Sequence, residues 1–108
     1  MQRDDALGLI ETNSLPAMIA ASDAAVKAAS VEVVSLERIG CAMLTVSFRG
    51  DIAAVRAAID AGAQAAASLN GLVGSHLIPR PDAQLERVLP VSGPLSEEEP
   101  GVDIDCGC

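Results

Sequence analysis

The run Val31-Glu32-Val33-Val34-Ser35-Leu36-Glu37-Arg38-Ile39-Gly40-Cys41-Ala42-Met43-Leu44-Thr45-Val46-Ser47-Phe48-Arg49-Gly50 holds two strand patterns separated by a break. Val31 to Ile39 is rich in β-branched residues, which fit a pleated surface. Gly40-Cys41-Ala42 interrupts it. Beyond the interruption Leu44, Val46 and Phe48 alternate with Thr45, Ser47 and Arg49. Alternation sends the two sets to opposite faces, the mark of a half-buried strand with one side on a core and the other in water. Two strands joined by so short a break predict an antiparallel pair.

Upstream, residues 6 to 12 read as a short buried strand. Asn13-Ser14 offers a helix cap, and Pro16 suits a first helical turn, where its missing N–H does no harm. Leu15, Met18, Ile19, Ser22, Val26 and Ala29 recur at helical spacing and predict a helix that ends near residue 29. Downstream, Gly50-Asp51 ends the strand and caps a second helix, with Ile52, Val55, Ile59, Ala63, Ala66 and Leu69 on one stripe. Asn70-Gly71 stops it. Leu72 to Ile78 forms a fourth strand, and Asp82 begins a short helix carrying Leu85, Val88 and Leu89. The order β-α-β-β-α-β plus a small helix predicts a ferredoxin-like α+β sandwich over residues 5–90. From Pro90 onward Pro, Gly, Ser and acids prevail, so residues 91–108 read as an acidic, disordered tail.

Composition narrows the function. A chain of 108 residues has room for one domain. Half of its residues are hydrophobic, yet Phe48 is the sole aromatic, so the core must rest on Val, Leu, Ile and much Ala. Such a core buries little area per residue, which leans towards association. The second helix is especially poor in bulk. Small residues let it lie close to its sheet in a thin domain, and high helix propensity accounts for them equally well. A net charge of −8 argues against a nucleic-acid partner, since phosphate contacts need clustered Lys and Arg. Five acids (Glu97, Glu98, Glu99, Asp103, Asp105) follow residue 90 without a base. No hydrophobic run is long enough for a membrane span, and Met1-Gln2-Arg3-Asp4-Asp5 is not a signal peptide. Three cysteines (Cys41, Cys106, Cys108) form no disulfide framework and suit a reducing cytoplasm.

No catalytic set is visible, and an enzyme has no residues to stand on. His76, the only histidine, lacks a Ser-His-Asp or Cys-His arrangement and reads as structural. Cys106-Gly107-Cys108 is a C-x-C pair that, with Asp103 and Asp105, offers a weak soft-metal site; the plainer reading is an unstructured terminus. Lys27, near the end of the first helix, favours the local dipole. His76-Leu77-Ile78-Pro79-Arg80-Pro81 carries an arginine between two prolines. Each proline fixes φ near −65° and donates no hydrogen bond, so the side chain projects from a stiff segment like a peg.

Taken together, several segments in order carry a resemblance. They are Ala6-Leu7-Gly8-Leu9-Ile10-Glu11-Thr12, Ala24-Ala25-Val26-Lys27-Ala28-Ala29, Leu36-Glu37-Arg38-Ile39-Gly40, Val46-Ser47-Phe48-Arg49-Gly50-Asp51, Ala57-Ala58-Ile59-Asp60-Ala61-Gly62 and the His76–Pro81 motif. Their order and spacing closely resemble the single-domain, hexamer-forming shell proteins of bacterial microcompartments. The likeness covers residues 5 to 90, and residues 91 to 108 match no pattern.

That resemblance implies a structural tile of a cytoplasmic microcompartment shell, assembling with itself as a homohexamer and with other shell proteins around encapsulated enzymes. It implies that six Gly40-Cys41-Ala42 turns surround a central pore, with Arg38 near it, for passive passage of small polar metabolites. A thiol there departs from the commoner serine or glycine. Some relatives carry a pore cysteine that ligates an iron–sulfur cluster, but such clusters ordinarily take four thiolates, and six on a sixfold axis match that poorly. A plain constriction without cofactor is therefore expected. The resemblance also places Lys27 at the hexamer edge and Arg80 in a pocket of the adjoining hexamer. The competing class is a small-molecule-sensing regulatory domain on the same fold, against which an edge built for tiling speaks.

Overall fold

The computed structural model describes residues 5–89 and Val91; the predicted tail otherwise lies outside the described residues. Along the chain run β1 (Ala6–Thr12), α1 (Leu15–Ala28), β2 (Glu32–Ile39), β3 (Met43–Gly50), α2 (Ile52–Ser68), β4 (Leu72–Ile78) and α3 (Leu85–Val88). The four strands form one sheet in the order β2-β3-β1-β4, and each neighbouring pair is antiparallel. The β2–β3 pair anticipated from the sequence is present, with Ile39 opposite Met43 beside the turn.

Both long helices lie on one face of the sheet. Ile10 of β1 and Leu44, Val46 and Phe48 of β3 pack there with Ala17, Met18, Ala21 and Ala25 of α1 and Ala58 and Ala66 of α2. Small residues set the distance. A Cβ on Gly62 would lie 2.5 Å from Ile10 Cδ1 and 2.8 Å from the Ala21 carbonyl oxygen, and one on Gly8 would lie 2.6 Å from Val55 Cγ1. Helix meets helix and sheet too closely for any side chain at these points.

The helix ends follow their capping residues. Ser14 Oγ accepts from the Ala17 N–H at 3.3 Å, and Asp51 Oδ1 accepts from the Ala53 N–H at 3.1 Å. At the far end of α2 the Gly71 N–H donates to the Ala66 carbonyl and the Asn70 N–H to the Ala67 carbonyl, both at 2.9 Å, a Schellman closure. Asn70, not glycine, takes the left-handed conformation, at φ 55°. Gly71 is required for space instead: an added Cβ would sit 2.2 Å from Ala17 Cβ.

Four expectations need correction. On α1 the buried residues are Ala17, Met18, Ala21 and Ala25, whereas Leu15, Ile19 and Val26 of the expected stripe are exposed. On α2 the ends of the stripe, Ile52 and Leu69, are exposed while Ala58 and Gly62 are buried. Close packing brings small residues to the contacts between the helices, while Met18 of α1 and Val55 and Ile59 of the α2 stripe are buried as expected. Val88 and Leu89 are exposed, and α3 buries none of its residues.

The fourth correction concerns β3, which is buried on both faces: Thr45, Ser47 and Arg49 are enclosed as fully as Leu44, Val46 and Phe48. β3 is an interior strand of the sheet, and on the second face Leu7, Val34 and Val91 form a small cluster with Ile78 against it. Val91, assigned by composition to the tail, is thus part of the packed domain.

Candidate functional site

Chain direction decides what the two ends of the sheet carry. β1 and β2 run towards the β2–β3 turn, and β3 runs away from it; α1 returns from the Thr12 end, so its last turn lies at the opposite end. β4 runs antiparallel to β1, with Leu72 opposite Thr12 and Ile78 opposite Leu7. Consequently Gly40-Cys41-Ala42 stands at one end of the sheet, while Lys27 and Arg80 both stand at the other. A seven-residue strand separates the two ends by about 24 Å.

The turn itself is a projection. Arg38, Ile39, Gly40, Cys41 and Ala42 are all exposed, whereas the strand below is buried from Leu44 on. Gly40 adopts φ 67°, and a Cβ built on it would touch nothing within 4 Å, so backbone conformation and not space calls for glycine there. Arg38 lies opposite Leu44 on β2, two residues before Gly40. Leu36 and Ile39 add an exposed apolar shoulder to the same strand end.

Cys41 departs from the expectation of a protein whose cysteines form no disulfide framework. It is disulfide-bonded, and it is the one cysteine among the described residues. Linear spacing cannot reveal such a pairing, because bridging depends on how near two Cα atoms come in space. Cys106 and Cys108, named above as a weak metal pair, also lie outside the described residues. Among the described residues no group of three or more His, Cys, Asp or Glu could hold a metal.

At the opposite end, Lys27 Nζ donates to Asp23 Oδ2 at 2.8 Å one helical turn away, and both side chains are largely in water. This pair adds little to stability but keeps the ammonium group at the surface. Arg80 is exposed in the turn after β4, on the rim of a groove of about 610 Å³ lined by Asp5, Ala6, Asp51, Ile52 and Pro79. Beneath this end lies a residue that sequence reasoning missed. Arg49 is fully buried: its Nε donates to Asp5 Oδ1 at 3.0 Å, Nη2 to the Asp5 carbonyl at 3.0 Å, Nη1 to the Val91 carbonyl at 2.8 Å and to Glu86 Oε1 at 3.4 Å. It clasps the start of β1, the helix α3 and the segment at Val91. Its alternation with Phe48 suggested a solvated residue, and nothing local announced acceptors so far away in sequence.

His76 stands on β4 at the edge of the sheet. Its side chain is 58% exposed and its Nε2 lies 3.9 Å from Glu11 Oε2 on the adjacent strand.

The model of the BMC domain matches residues 6–81. The bacterial microcompartment shell protein EutM of Salmonella typhimurium is 53% identical over 88 residues, spanning 82% of this chain and 92% of that protein. The shell protein PduA of Citrobacter freundii is 48% identical, spanning 82% and 95%, and the carboxysome shell protein CcmK2 of Synechocystis sp. is 46% identical, spanning 80% and 85%. A solved microcompartment protein of Desulfitobacterium hafniense superposes with a TM-score of 0.72 at 29% identity. The alignment covers 87% of this chain, which spans about half the length of that protein.

Proposed function

This chain belongs to the BMC-domain family of bacterial microcompartment shell proteins, and from that premise we propose how it acts as a structural tile of such a shell within the cytoplasm. The tile is a homohexamer with the ferredoxin-like arrangement of its subunits' strands and helices. Six Gly40-Cys41-Ala42 turns meet on the sixfold axis around a pore, with Arg38 beside them, and the ends bearing Lys27 and Arg80 face outward. The observation that carries this reading is the placement of turn and pegs at opposite ends of one sheet. A subunit built so can point its turn at an axis while its arginine meets a neighbour.

The exposed apolar residues support the same reading. Leu36 and Ile39 on edge strand β2, Leu72 and Val73 on edge strand β4, and Ile19 and Val26 on α1 leave apolar surface in water that association would bury. Edge strands in particular invite partners or must be covered. The role is structural rather than catalytic. Small polar metabolites pass by diffusion, filtered by pore width and by the groups at the turns, and other shell proteins and encapsulated enzymes are the partners. A pore without a cluster is the simpler case, since a sixfold ring does not naturally offer four thiolates. Anaerobically purified protein should be colourless, and a brown protein whose visible absorption is lost in Cys41→Ser would reverse that point.

Multi-angle light scattering tests the tile directly. The expected result is a hexamer across concentration and salt. A stable monomer or dimer under all of these conditions would overturn the proposal.

A further inference from the structure

We propose that Glu11, Thr45 and Glu37 form a socket that takes the Arg38 side chain of the adjoining copy of this chain. This contact rests on the proposed hexamer and is what closes its ring near the turn. Register places the three socket residues in one row: Thr45 on β3 lies opposite Glu11 of β1 and opposite Glu37 of β2. The row crosses the sheet face turned away from the two long helices, because Leu44 and Val46 on either side of Thr45 pack against those helices.

Thr45 points to a missing partner. It is 7% exposed, and its Oγ1 is the one buried side-chain polar atom without a hydrogen-bond partner among the described residues. Buried hydroxyls are ordinarily hydrogen-bonded, and leaving one unmet costs free energy. The glutamates beside it are half-buried and also uncommitted. Glu37 forms no ion pair among the described residues, and Glu11 Oε2 lies 3.9 Å from His76 Nε2, too far for a hydrogen bond. Rotamer changes of such side chains are fast and open the hydroxyl to an incoming group. Two carboxylates and a hydroxyl oxygen in a row call for a cation with several N–H donors, and guanidinium is the best match.

Arg38 is that cation. It is exposed, forms no ion pair among the described residues and directly follows Glu37, so the pleat sends it to the opposite face at the same end of the sheet. A closed ring is built from heterologous contacts, in which one surface of each subunit meets a different surface of the next. Arginine and acidic row lie on opposite faces beside the turn that the hexamer directs at its axis. Each Arg38 thus reaches the row of the next subunit. Its charge is met at the subunit seam and is not left free at the pore.

The full-length Arg38→Lys variant keeps the cation and supplies an amine for carbodiimide coupling to a carboxylate. Hexamers are refolded from mixed isotope-labelled and unlabelled subunits, coupled and digested with trypsin. The peptide of residues 28–49 should be joined, in mixed-isotope pairs, to Glu11 in the peptide of residues 4–27 or to Glu37 in a second copy of itself. In parallel, Arg38→Gln, and separately Glu11→Gln with Glu37→Gln, should each raise the concentration at which light scattering sees hexamers dissociate by about tenfold, and combining all three should do no more than the larger effect. Additive losses, or amide links absent or confined within one subunit, would overturn the socket. A wild-type hexamer without the link overturns the socket alone, whereas wild-type protein that is never a hexamer overturns the tile and the socket together.

Discussion

Arg49 owes its burial to acceptors from three separate segments. A guanidinium removed from water is costly unless its donors are all engaged, and here two carboxylates and two carbonyls surround it. Arg49→Ala should lower the unfolding free energy by about 3 kcal/mol, the low end for breaking a buried ion pair because Asp5 keeps 27% of its side chain in water. Urea denaturation reads this, and Arg49→Lys should recover only part, since one ammonium cannot serve four acceptors. Glycines give a second test at the same scale. Gly62→Ala drives a methyl against the Ala21 backbone and should cost about 1–3 kcal/mol. Gly40→Ala meets open space and should cost about 1–2 kcal/mol through its left-handed φ alone. The first should disturb helix packing in hydrogen exchange; the second should leave it unchanged.

Among the elements, α2 depends most on its cap. It has no acidic residue in its first turn and no basic residue in its last, so Asp51 is its main favourable end interaction with the helix dipole. Asp51→Ala should therefore cost about 1 kcal/mol in thermal or urea unfolding, and Asp51→Ser should restore most of it. Helix α1 illustrates how an apolar stripe can mislead. Leu15, Ile19 and Val26 sit at helical spacing, yet the helix turns its alanines inward, because only those permit the approach to Gly62 and Gly71. Helical period was legible in the sequence; the choice of face was not. That choice depends on the partner surface, and the partner here is another alanine-rich helix.

For the whole molecule, the polarity of the sheet predicts separable effects. Arg80 is exposed on the rim of a groove, so Arg80→Ala should leave folding and hexamers unchanged while suppressing extended sheets. In the proposed edge contact its loss leaves acceptors of the receiving pocket unmatched, a truncation that typically costs about 2–5 kcal/mol when buried. Because that contact repeats around each tile, assembly should fall much further than stability. Electron microscopy of the variant is the check, and ordinary sheets at wild-type protein concentration would remove Arg80 from this role.

The sequence by itself determined the order of elements, the antiparallel β2–β3 pair, both long-helix caps and the family, since each rests on local spacing or on short motifs in register. Periodicity acts over a few residues, and so does capping. The tertiary structure alone decided three things. It buried Arg49 by bringing Asp5, Glu86 and the Val91 carbonyl to it, from 44, 37 and 42 residues away. It turned Ala17, Ala21 and Ala25 of α1 inward by close packing against Gly62 and Gly71 and left Leu15, Ile19 and Val26 outside. It also set Cys41 at one end of the sheet and Lys27 with Arg80 at the other, through strand direction. Each of these depends on contacts between segments distant in the chain, where a residue's environment is made by neighbours that no local pattern encodes.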